Sequence, residues 1–240
     1  MSSTISESEA EPATKTAQAV IPGPILLLGA PGVGKGTQAQ EIVAAWKIPQ
    51  ISTGDLLRAN VVRGTDLGKL AKEIMGRGEL VPDDLVNRMV AARLAEPDTL
   101  RGYILDGFPR TLGQAEWLDG HLAELNSPLP VIAVSIRVGY NQLLRRITGR
   151  RSCPTCKHIY NLYFQPPKSD MVCDVDGTPL VQRADDTEKV FEERMRTYES
   201  QTTPVIEHYR ALGRFEEVDG EQAIGQVAKG ILAAIERLRS

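Results

Sequence analysis

The residues that most directly suggest chemistry form one glycine-rich stretch, Gly29-Ala30-Pro31-Gly32-Val33-Gly34-Lys35-Gly36-Thr37. An apolar run, residues 25–28, precedes it, and a segment with helical character, residues 38–46, follows it. Strand, glycine-rich turn and helix together form the context of a phosphate-binding loop. Glycines let backbone N–H groups converge on phosphate oxygens, and the helix N-terminus adds partial positive charge. We therefore predict that residues 32–37 bind the phosphates of a nucleotide and that Lys35 reaches the β- and γ-phosphates.

Arginines recur in the motifs that follow this loop. Transfer of a group between two phosphates needs positive charge around the equatorial oxygens and exclusion of water. Planar, permanently charged guanidinium groups supply that charge. The arginines considered are Arg58, Arg110, Arg146, Arg150, Arg183 and Arg194. Many arginines only solvate a helix surface, but Arg110 and Arg150 each lie beside glycine or proline, after a strand or at a domain junction.

Asp106 follows an apolar segment, residues 103–105, and is expected at the carboxyl end of a strand, near the phosphates. A buried carboxylate is costly there unless it faces Mg²⁺ or the waters of that ion. We favour contact with Mg²⁺ through water, while a helix-capping or turn-fixing role stays open. No general base is required, because a phosphate acceptor is already anionic and positioning with charge stabilisation is sufficient.

The three cysteines all lie within residues 153–173. An odd, clustered set favours a metal site over a disulfide framework and suits a reducing, cytoplasmic compartment. Two pairs with two intervening residues, Cys153 with Cys156 and Cys173 with Asp176, have the spacing of zinc ligands.

The fourth ligand is the open point of this metal prediction. Asp176 is preferred, Asp174 and His158 are rivals, and a metal-free insert held by side-chain hydrogen bonds is the alternative. Four protein ligands leave no free coordination position, so the Zn²⁺ would be structural and would fold an insert too small for a core of its own.

Strand-like and helical segments alternate along most of the chain, which predicts an α/β fold with a central parallel sheet covered on both faces. The strand-like runs are residues 25–28, 103–105, 131–136 and 215–218. The helical segments are residues 83–94, 112–125, 140–148, 187–209 and 221–237. Two stretches interrupt the alternation: residues 52–81 are helix-rich, and residues 150–185, with prolines and all the cysteines, are predicted to be a small β-rich insert.

The overall composition is that of a globular protein, with 42% hydrophobic and 25% charged residues among 240. A net charge of -3 argues against bulk binding to nucleic acid or to an anionic membrane. No apolar run approaches the roughly 18 residues of a membrane span. Residues 1–21 fit neither a signal nor a transit peptide and are predicted to be a disordered extension, with a partner-binding or regulatory tail as the alternative.

The order of the motifs resembles that of bacterial adenylate kinases of the long, lid-containing type, from Ile25 to the C-terminus. The motifs are Ser52-Thr53-Gly54-Asp55-Leu56-Leu57-Arg58, Leu105-Asp106-Gly107-Phe108-Pro109-Arg110, Arg146-Ile147-Thr148-Gly149-Arg150-Arg151, Arg183-Ala184-Asp185-Asp186 and Arg194. Within the loop, Pro31 and the position of Gly36 after Lys35 also resemble the nucleoside monophosphate kinases.

This resemblance implies reversible phosphoryl transfer from Mg·ATP to AMP, giving two ADP. It also implies a monomer that closes over its substrates. It divides the chain into a core of residues 22–51, 82–149 and 186–240, a monophosphate-binding insert of residues 52–81, and a zinc-bearing lid of residues 150–185. The lid hinges would lie near Gly149 and Asp185. Adenylate kinases of the Gram-positive type vary at the fourth zinc ligand, which agrees with Asp176.

The resemblance also implies roles for individual residues. AMP would be bound by Thr53, Arg58, Glu79, Leu80, Val81, Gly107, Phe108, Pro109, Arg110, Gln114, Arg183 and Arg194. ATP would be bound by Gly32, Val33, Gly34, Lys35, Gly36, Thr37, Arg146, Arg150, Ile159, Tyr160 and Gln222. The catalytic set would be Lys35, Arg110, Arg150, Arg183, Arg194 and Asp106. Gln114 is expected to read the adenine edge of AMP, and Arg146 to lie against the ATP base.

Two other functions remain as alternatives. The same fold could phosphorylate another nucleoside monophosphate or use GTP as donor, because one side-chain amide does not determine base choice. A nucleotide-gated RNA-binding zinc protein is the second alternative, because small zinc ribbons often bind nucleic acid. The acidic balance, and a lid whose aromatic residues are confined to Tyr160, Tyr163 and Phe164, argue against it.

Overall fold

The centre of the protein is a parallel sheet, seen in a computed structural model that describes residues 22–240. The predicted disordered extension, residues 1–21, therefore lies outside the described residues. The strands are β1 (Gly23–Leu28), β2 (Gln50–Ser52), β3 (Gly102–Asp106), β4 (Ile132–Arg137), β5 (Arg150–Ser152), β6 (Ile159–Asn161) and β7 (Phe215–Asp219). Five of them form the parallel sheet in the order β2-β3-β1-β4-β7, and β5 and β6 form a separate antiparallel pair.

Helices connect the parallel strands and cover both faces of the sheet. They are α1 (Lys35–Trp46), α2 (Thr53–Arg63), α3 (Asp66–Arg77), α4 (Asp83–Leu94), α5 (Leu112–Glu124), α6 (Tyr140–Thr148), α7 (Glu188–Thr197), α8 (Thr203–Ala211) and α9 (Ile224–Arg239). A short 3₁₀ turn, Pro97–Thr99, precedes β3, and a π-helical turn, Tyr198–Thr202, joins α7 to α8. No helix among residues 22–240 has both the length and the apolar character needed to cross a membrane.

The predicted α/β fold with a parallel sheet is confirmed, and its core explains why the central strands were recognisable. All residues of β1 are buried, as expected for a strand covered by helices on both faces. Alternate side chains of β1 enter opposite apolar layers, with Leu26 in one cluster and Ile25 and Leu27 in the other. The short edge strand β2 was not predicted, because its three residues include the polar Gln50 and Ser52.

Two helical predictions differ from the structure in their bounds. The predicted helix over residues 187–209 is interrupted by the π-helical turn Tyr198–Thr202. The predicted helix over residues 221–237 begins only at Ile224, because the Glu221 N–H is held by the Asp219 side chain at 3.0 Å in a turn. Both differences lie at connections, where local hydrogen bonds compete with helical periodicity.

The two inserts differ in how they are built. Residues 52–81 contain α2 and α3, whose first turns are capped by the side chains of Ser52 and Thr65. The insert predicted to be β-rich, residues 150–185, contains the β5–β6 hairpin and isolated bridges such as Ser152 with Val181; the rest is turns. Prolines and turn-forming cysteine knuckles account for this low strand content.

Arg239, at the end of α9, fastens the last helix to the start of the sheet. Its guanidinium donates to three carbonyl oxygens, those of Pro22 at 2.9 Å, Pro24 at 2.9 Å and Pro130 at 2.7 Å. Burial lowers the pKa of Arg239 to about 10. Its neighbour Arg237 instead pairs with Glu216 on the exposed side of the same helix.

We expect Arg239→Met to lower the free energy of unfolding by about 2 kcal/mol, because hydrogen bonds from a charged donor are lost and the carbonyls remain partly buried. The matched control, Arg237→Met, should change it by less than about 1 kcal/mol, because exposed ion pairs contribute little. Urea unfolding of both variants measures the difference. Equal losses would mean that Arg239 does not fasten the helix to the sheet.

Candidate active site

The predicted phosphate-binding loop connects β1 to α1, and glycine is required at two of its positions. Gly34 has φ of 104° immediately before the first residue of α1. Gly29 has φ of 134°, and a Cβ there would lie 2.6 Å from the carbonyl oxygen of Ile136 on β4. The loop therefore folds tightly against the sheet and leads directly into the N-terminus of α1, which favours anions.

Lys35 is held across its own loop. Its ammonium donates to the carbonyl oxygens of Gly29 at 2.7 Å and Ala30 at 3.2 Å. Burial lowers the pKa of Lys35 to about 8; Asp106 opposes this shift, whereas neighbouring arginines, first Arg110, add to it. The ammonium is thus desolvated among other cations, and a phosphate would relieve both costs.

Asp106, the last residue of β3, lies beside the loop as predicted. Its Oδ2 accepts a hydrogen bond from Gln50 Nε2 at 3.1 Å, and Gln50 Oε1 accepts one from Gln40 at 2.7 Å. Gly36 of the loop is close enough that a Cβ there would lie 3.9 Å from Asp106 Oδ2. Sequence reasoning missed Gln50; its polar side chain at the start of an edge strand was the available signal.

The segment after β3 brings the predicted acceptor residues to the same end of the sheet. The carbonyl oxygen of Gly107 accepts hydrogen bonds from Thr53 Oγ1 and from Arg110 Nε, each at 2.8 Å. Burial lowers the pKa of Arg110. A cleft joins this segment to the phosphate loop; it is lined by residues that include Gly29, Lys35, Leu80, Gly107, Phe108, Pro109, Arg110 and Arg194.

Other predicted acceptor residues lie near this cleft in less direct positions. Gln114 is buried, its Oε1 accepts from the Arg110 N–H at 2.7 Å and its Nε2 donates to Asp83 at 2.7 Å. Both ends of its amide are thus engaged with the protein. The Glu79 carboxylate pairs with Arg77 at 2.8 Å, while Val81 is buried in the core.

Three of the six predicted arginines, Arg58, Arg150 and Arg194, are paired with carboxylates that sequence reasoning did not assign. Arg150 donates through two nitrogens to the fully buried Asp186. Arg194 pairs with Asp185 at 3.0 Å. The motif that contains both aspartates, directly after Arg183, was the signal that could have found them.

Arg58 and Arg183 complete this set of charges. Arg58 pairs with Asp55 at 2.6 Å, one turn away on α2. Within residues 22–240, Arg183 forms no ion pair, and burial together with Arg150 and Arg58 lowers its pKa to about 10. Burial lowers the pKa of Arg194 to about 10 as well. The site therefore holds more desolvated positive charge than its carboxylates neutralise.

Arg146 connects the phosphate loop to the turn before α9. Its guanidinium donates to the carbonyl oxygens of Val33 at 2.9 Å and Gly220 at 3.0 Å. Gln222 lies exposed on that turn. The two predicted contacts with the ATP base are thus brought to one side of the loop.

Ile159 and Tyr160 lie on the lid strand β6. The Tyr160 side chain is buried inside the lid, with its hydroxyl 3.5 Å from Cys173 Sγ. The Tyr160 side chain therefore points toward the cysteine cluster and not toward the phosphate loop.

The lid brings Cys153, Cys156, Cys173 and Asp176 together, with one ligand atom from each within 4.8 Å of the others. Two thiol sulfurs, of Cys156 and Cys173, are 3.5 Å apart, and Cys153 Sγ is 3.3 Å from Asp176 Oδ2. A tetrahedral Zn²⁺ with Zn–S bonds of about 2.3 Å requires sulfurs roughly 3.8 Å apart, so the set fits such an ion.

The rival fourth ligands have other contacts. The His158 ring packs edge-on against Tyr160 with centroids 4.6 Å apart, and Asp174 Oδ1 accepts from the Lys168 N–H at 2.9 Å. The cluster of three cysteines and Asp176 is accordingly the candidate metal site of the lid.

Comparison with known proteins identifies the family. The family described as "ADK: Adenylate kinase" matches residues 27–214. Curated proteins named adenylate kinase are similar along nearly their whole length: that of Nitrosococcus oceani is 49% identical over 89% of this chain and 99% of the relative. That of Thermodesulfovibrio yellowstonii is 48% identical over 89% and 99%, and that of Archaeoglobus fulgidus 48% identical over 90% and 99%. With the loop, the arginines and the cleft in place, the chain belongs to the adenylate kinase family.

Proposed function

We propose that the cleft between the phosphate loop and residues 107–110 is where this chain, as an adenylate kinase, transfers a phosphoryl group from Mg·ATP to AMP, giving two ADP. One observation carries the proposal: Lys35, Arg110 and Arg194 line a single cleft. A donor phosphate on the loop and an acceptor phosphate at Arg110 would therefore face each other. Transfer between them needs orientation and charge, both of which these side chains supply.

We assign the donor nucleotide to the loop side of the cleft. Backbone N–H groups of residues 32–37 would hold its phosphates, and Lys35 would bridge the β- and γ-phosphates. Arg150, Ile159 and Tyr160 would close over it from the lid, with the Tyr160 contribution limited to its backbone. Arg146 and Gln222 would border the base. This is consistent with the hydrogen bonds that Arg146 donates to the carbonyl oxygens of Val33 in the loop and of Gly220 in the turn before α9.

We assign AMP to the opposite side. Arg58 and Arg110 would bind its phosphate, and Thr53, residues 79–81, residues 107–109 and Gln114 would surround the nucleoside. Gln114 would act in part by fixing the backbone of Arg110. Its side-chain oxygen accepts a hydrogen bond from the Arg110 N–H at 2.7 Å. To donate a hydrogen bond to the base, the amide nitrogen of Gln114 would have to break its hydrogen bond to Asp83.

Arg150, Arg183 and Arg194 would surround the group being transferred. A phosphate entering the cleft would compete with Asp186 for Arg150 and with Asp185 for Arg194, whereas Arg183 would be available without such competition. Mg²⁺, brought with ATP, would be held through its waters by Asp106, since this ion retains much of its hydration shell. Gln50 would keep one oxygen of Asp106 occupied and leave the other for those waters.

The division into a core, a monophosphate-binding insert of residues 52–81 and a lid of residues 150–185 supports closure over both nucleotides, with hinges near Gly149 and Asp185. Closure would exclude water and so prevent hydrolysis. We expect a monomer, and a cytoplasmic location, where unpaired cysteines remain reduced. In the lid, Zn²⁺ held by the three cysteines and Asp176 would be structural, because no coordination position is left open.

We expect AMP to be the preferred acceptor in a panel of AMP, CMP, UMP, GMP and dAMP, with ATP and GTP compared as donors and with Mg²⁺-free controls. ADP formation is measured for each pair. Preference for another monophosphate would retain the fold and overturn the base assignment. Absence of transfer, together with salt-dependent RNA binding, would support the RNA-binding alternative instead.

We expect Lys35→Met to lower kcat by at least about 10²-fold while the fold is retained, because an oriented charge on the transferring group is lost. The control is Lys229→Met, an exposed lysine on α9, which should keep wild-type turnover. Circular dichroism of both variants checks the fold.

The pH profile tests the same lysine in the native protein. Burial lowers the Lys35 pKa to about 8, so the free enzyme loses this charge as the pH rises through that value. We expect kcat/KM for ATP to fall above about pH 8, and Lys35→Arg, which stays charged, to lack that fall. A flat profile in the native enzyme would mean either that the Lys35 ammonium stays protonated over this pH range or that ATP binding does not depend on its charge.

We expect Cys153→Ser to lower the zinc content and the melting temperature together, because the ion folds the lid. A zinc chelator should lower the melting temperature of the native protein and leave that of the variant unchanged. Thr155→Ala, an exposed change within the same turn, is the control. An unaffected melting temperature in Cys153→Ser would mean that the lid folds without metal.

A further inference from the structure

The interior of the lid is small, and one side chain in it carries a polar group without a role in the proposed chemistry. The buried cluster consists of Cys153, Tyr160, Cys173 and Leu180. Tyr160 is only 3% exposed, although it lies on the short strand β6. Such a phenol is normally retained where its hydroxyl finds a partner.

The Tyr160 hydroxyl has two neighbours. It accepts a hydrogen bond from the Asp174 N–H at 2.8 Å, and it lies 3.5 Å from Cys173 Sγ. Because the amide can only donate, the phenolic hydrogen remains available for the sulfur. A metal-bound Cys173 is a thiolate, which can only accept.

We propose that Tyr160 is a positioning residue of the lid metal site, its hydroxyl donating a hydrogen bond to the Cys173 thiolate. This inference rests on the metal site proposed above. Three thiolates and one carboxylate would place more negative charge around a divalent cation than the cation neutralises. A buried donor on one thiolate stabilises that excess charge and fixes the direction of the sulfur lone pairs.

The same residue links the metal site, through its side chain, to the strand that carries a predicted catalytic arginine, through its backbone. In the β5–β6 hairpin, Tyr160 is opposite Arg151, and Asn161 is opposite Arg150. Asn161 also donates to the carbonyl oxygen of Arg146 at 2.9 Å. Tyr160 thus belongs to the metal site through its hydroxyl and to the nucleotide-facing hairpin only through its backbone.

Tyr160→Phe removes the hydroxyl and retains the ring, so the lid core stays filled. The matched control is Tyr163→Phe, which removes the same group from an exposed tyrosine packed against Arg145. Zinc affinity of the purified full chain is measured by competition with a chromophoric chelator. We expect Tyr160→Phe to bind Zn²⁺ at least about tenfold more weakly than the native protein, and the control to be unchanged.

Cobalt substitution separates a hydrogen bond to sulfur from a merely structural effect through Asp174. Loss of a donor raises the electron density on the thiolate, so the thiolate-to-Co²⁺ charge-transfer band of Tyr160→Phe should move to lower energy. Weaker affinity with an unmoved band would overturn the proposal, as would unchanged zinc affinity.

Two further outcomes also count against it. A higher KM for ATP in Tyr160→Phe, with zinc affinity unchanged, would assign the side chain to the nucleotide. A native chain that binds neither Zn²⁺ nor Co²⁺ would overturn the metal site itself, and this inference with it. That second failure is recognisable because it appears before any substitution is made.

Discussion

Positive charge concentrated at the carboxyl end of the sheet is the constraint on which the rest of the structure depends. Lys35, Arg110 and Arg194 line one cleft, and burial lowers the pKa of each. Such a group of desolvated cations is costly in a folded protein unless anions approach it. The chain supplies Asp185 beside Arg194 and Asp106 near Lys35 and Arg110, and under the proposed function a nucleotide would add its phosphates. Under the proposed function, the substrates would be held by the same attraction that pairs these groups within the protein.

In the proposed function, an exchange of ion-pair partners would connect the charges of the site to movement of the lid. Asp186 is fully buried and pairs with Arg150, at the start of the lid, while Asp185 pairs with Arg194 on α7. Removing one partner of a buried ion pair is strongly destabilising, because the charge of the other partner stays buried without compensation. Under the proposed function, a phosphate that takes Arg150 from Asp186 would have to offset the cost of leaving that buried carboxylate unpaired, which would couple the position of residues 150–185 to nucleotide binding.

The sequence predicted those parts of the site that depend on local backbone conformation, and it did not predict the pairings between residues far apart in the chain. The β1 strand, the glycine loop and α1 were predictable because backbone conformation dictates their residue types, as at Gly34 with φ of 104°. The motif arginines were identified individually. Their carboxylate partners were not, because the pairing of Arg150 with Asp186 spans 36 positions that only the folded lid brings together. The orientation of Tyr160 into the lid escaped prediction for the same reason, since a three-residue strand gives no clear alternation of faces.

The lid follows a different physical rule from the core. The core buries two large apolar clusters on either side of the sheet, whereas the described lid cluster contains only Cys153, Tyr160, Cys173 and Leu180, with Met171 against it. So little apolar burial does not offset the entropy of ordering residues 150–185. Bonds from the three cysteines and Asp176 to the proposed metal ion would offset it, and they would leave the opposite side of β5 free to present Arg150. Under the proposed function, this separation of lid stability from the charged face would let Arg150 exchange Asp186 for a phosphate without unfolding the segment that carries it.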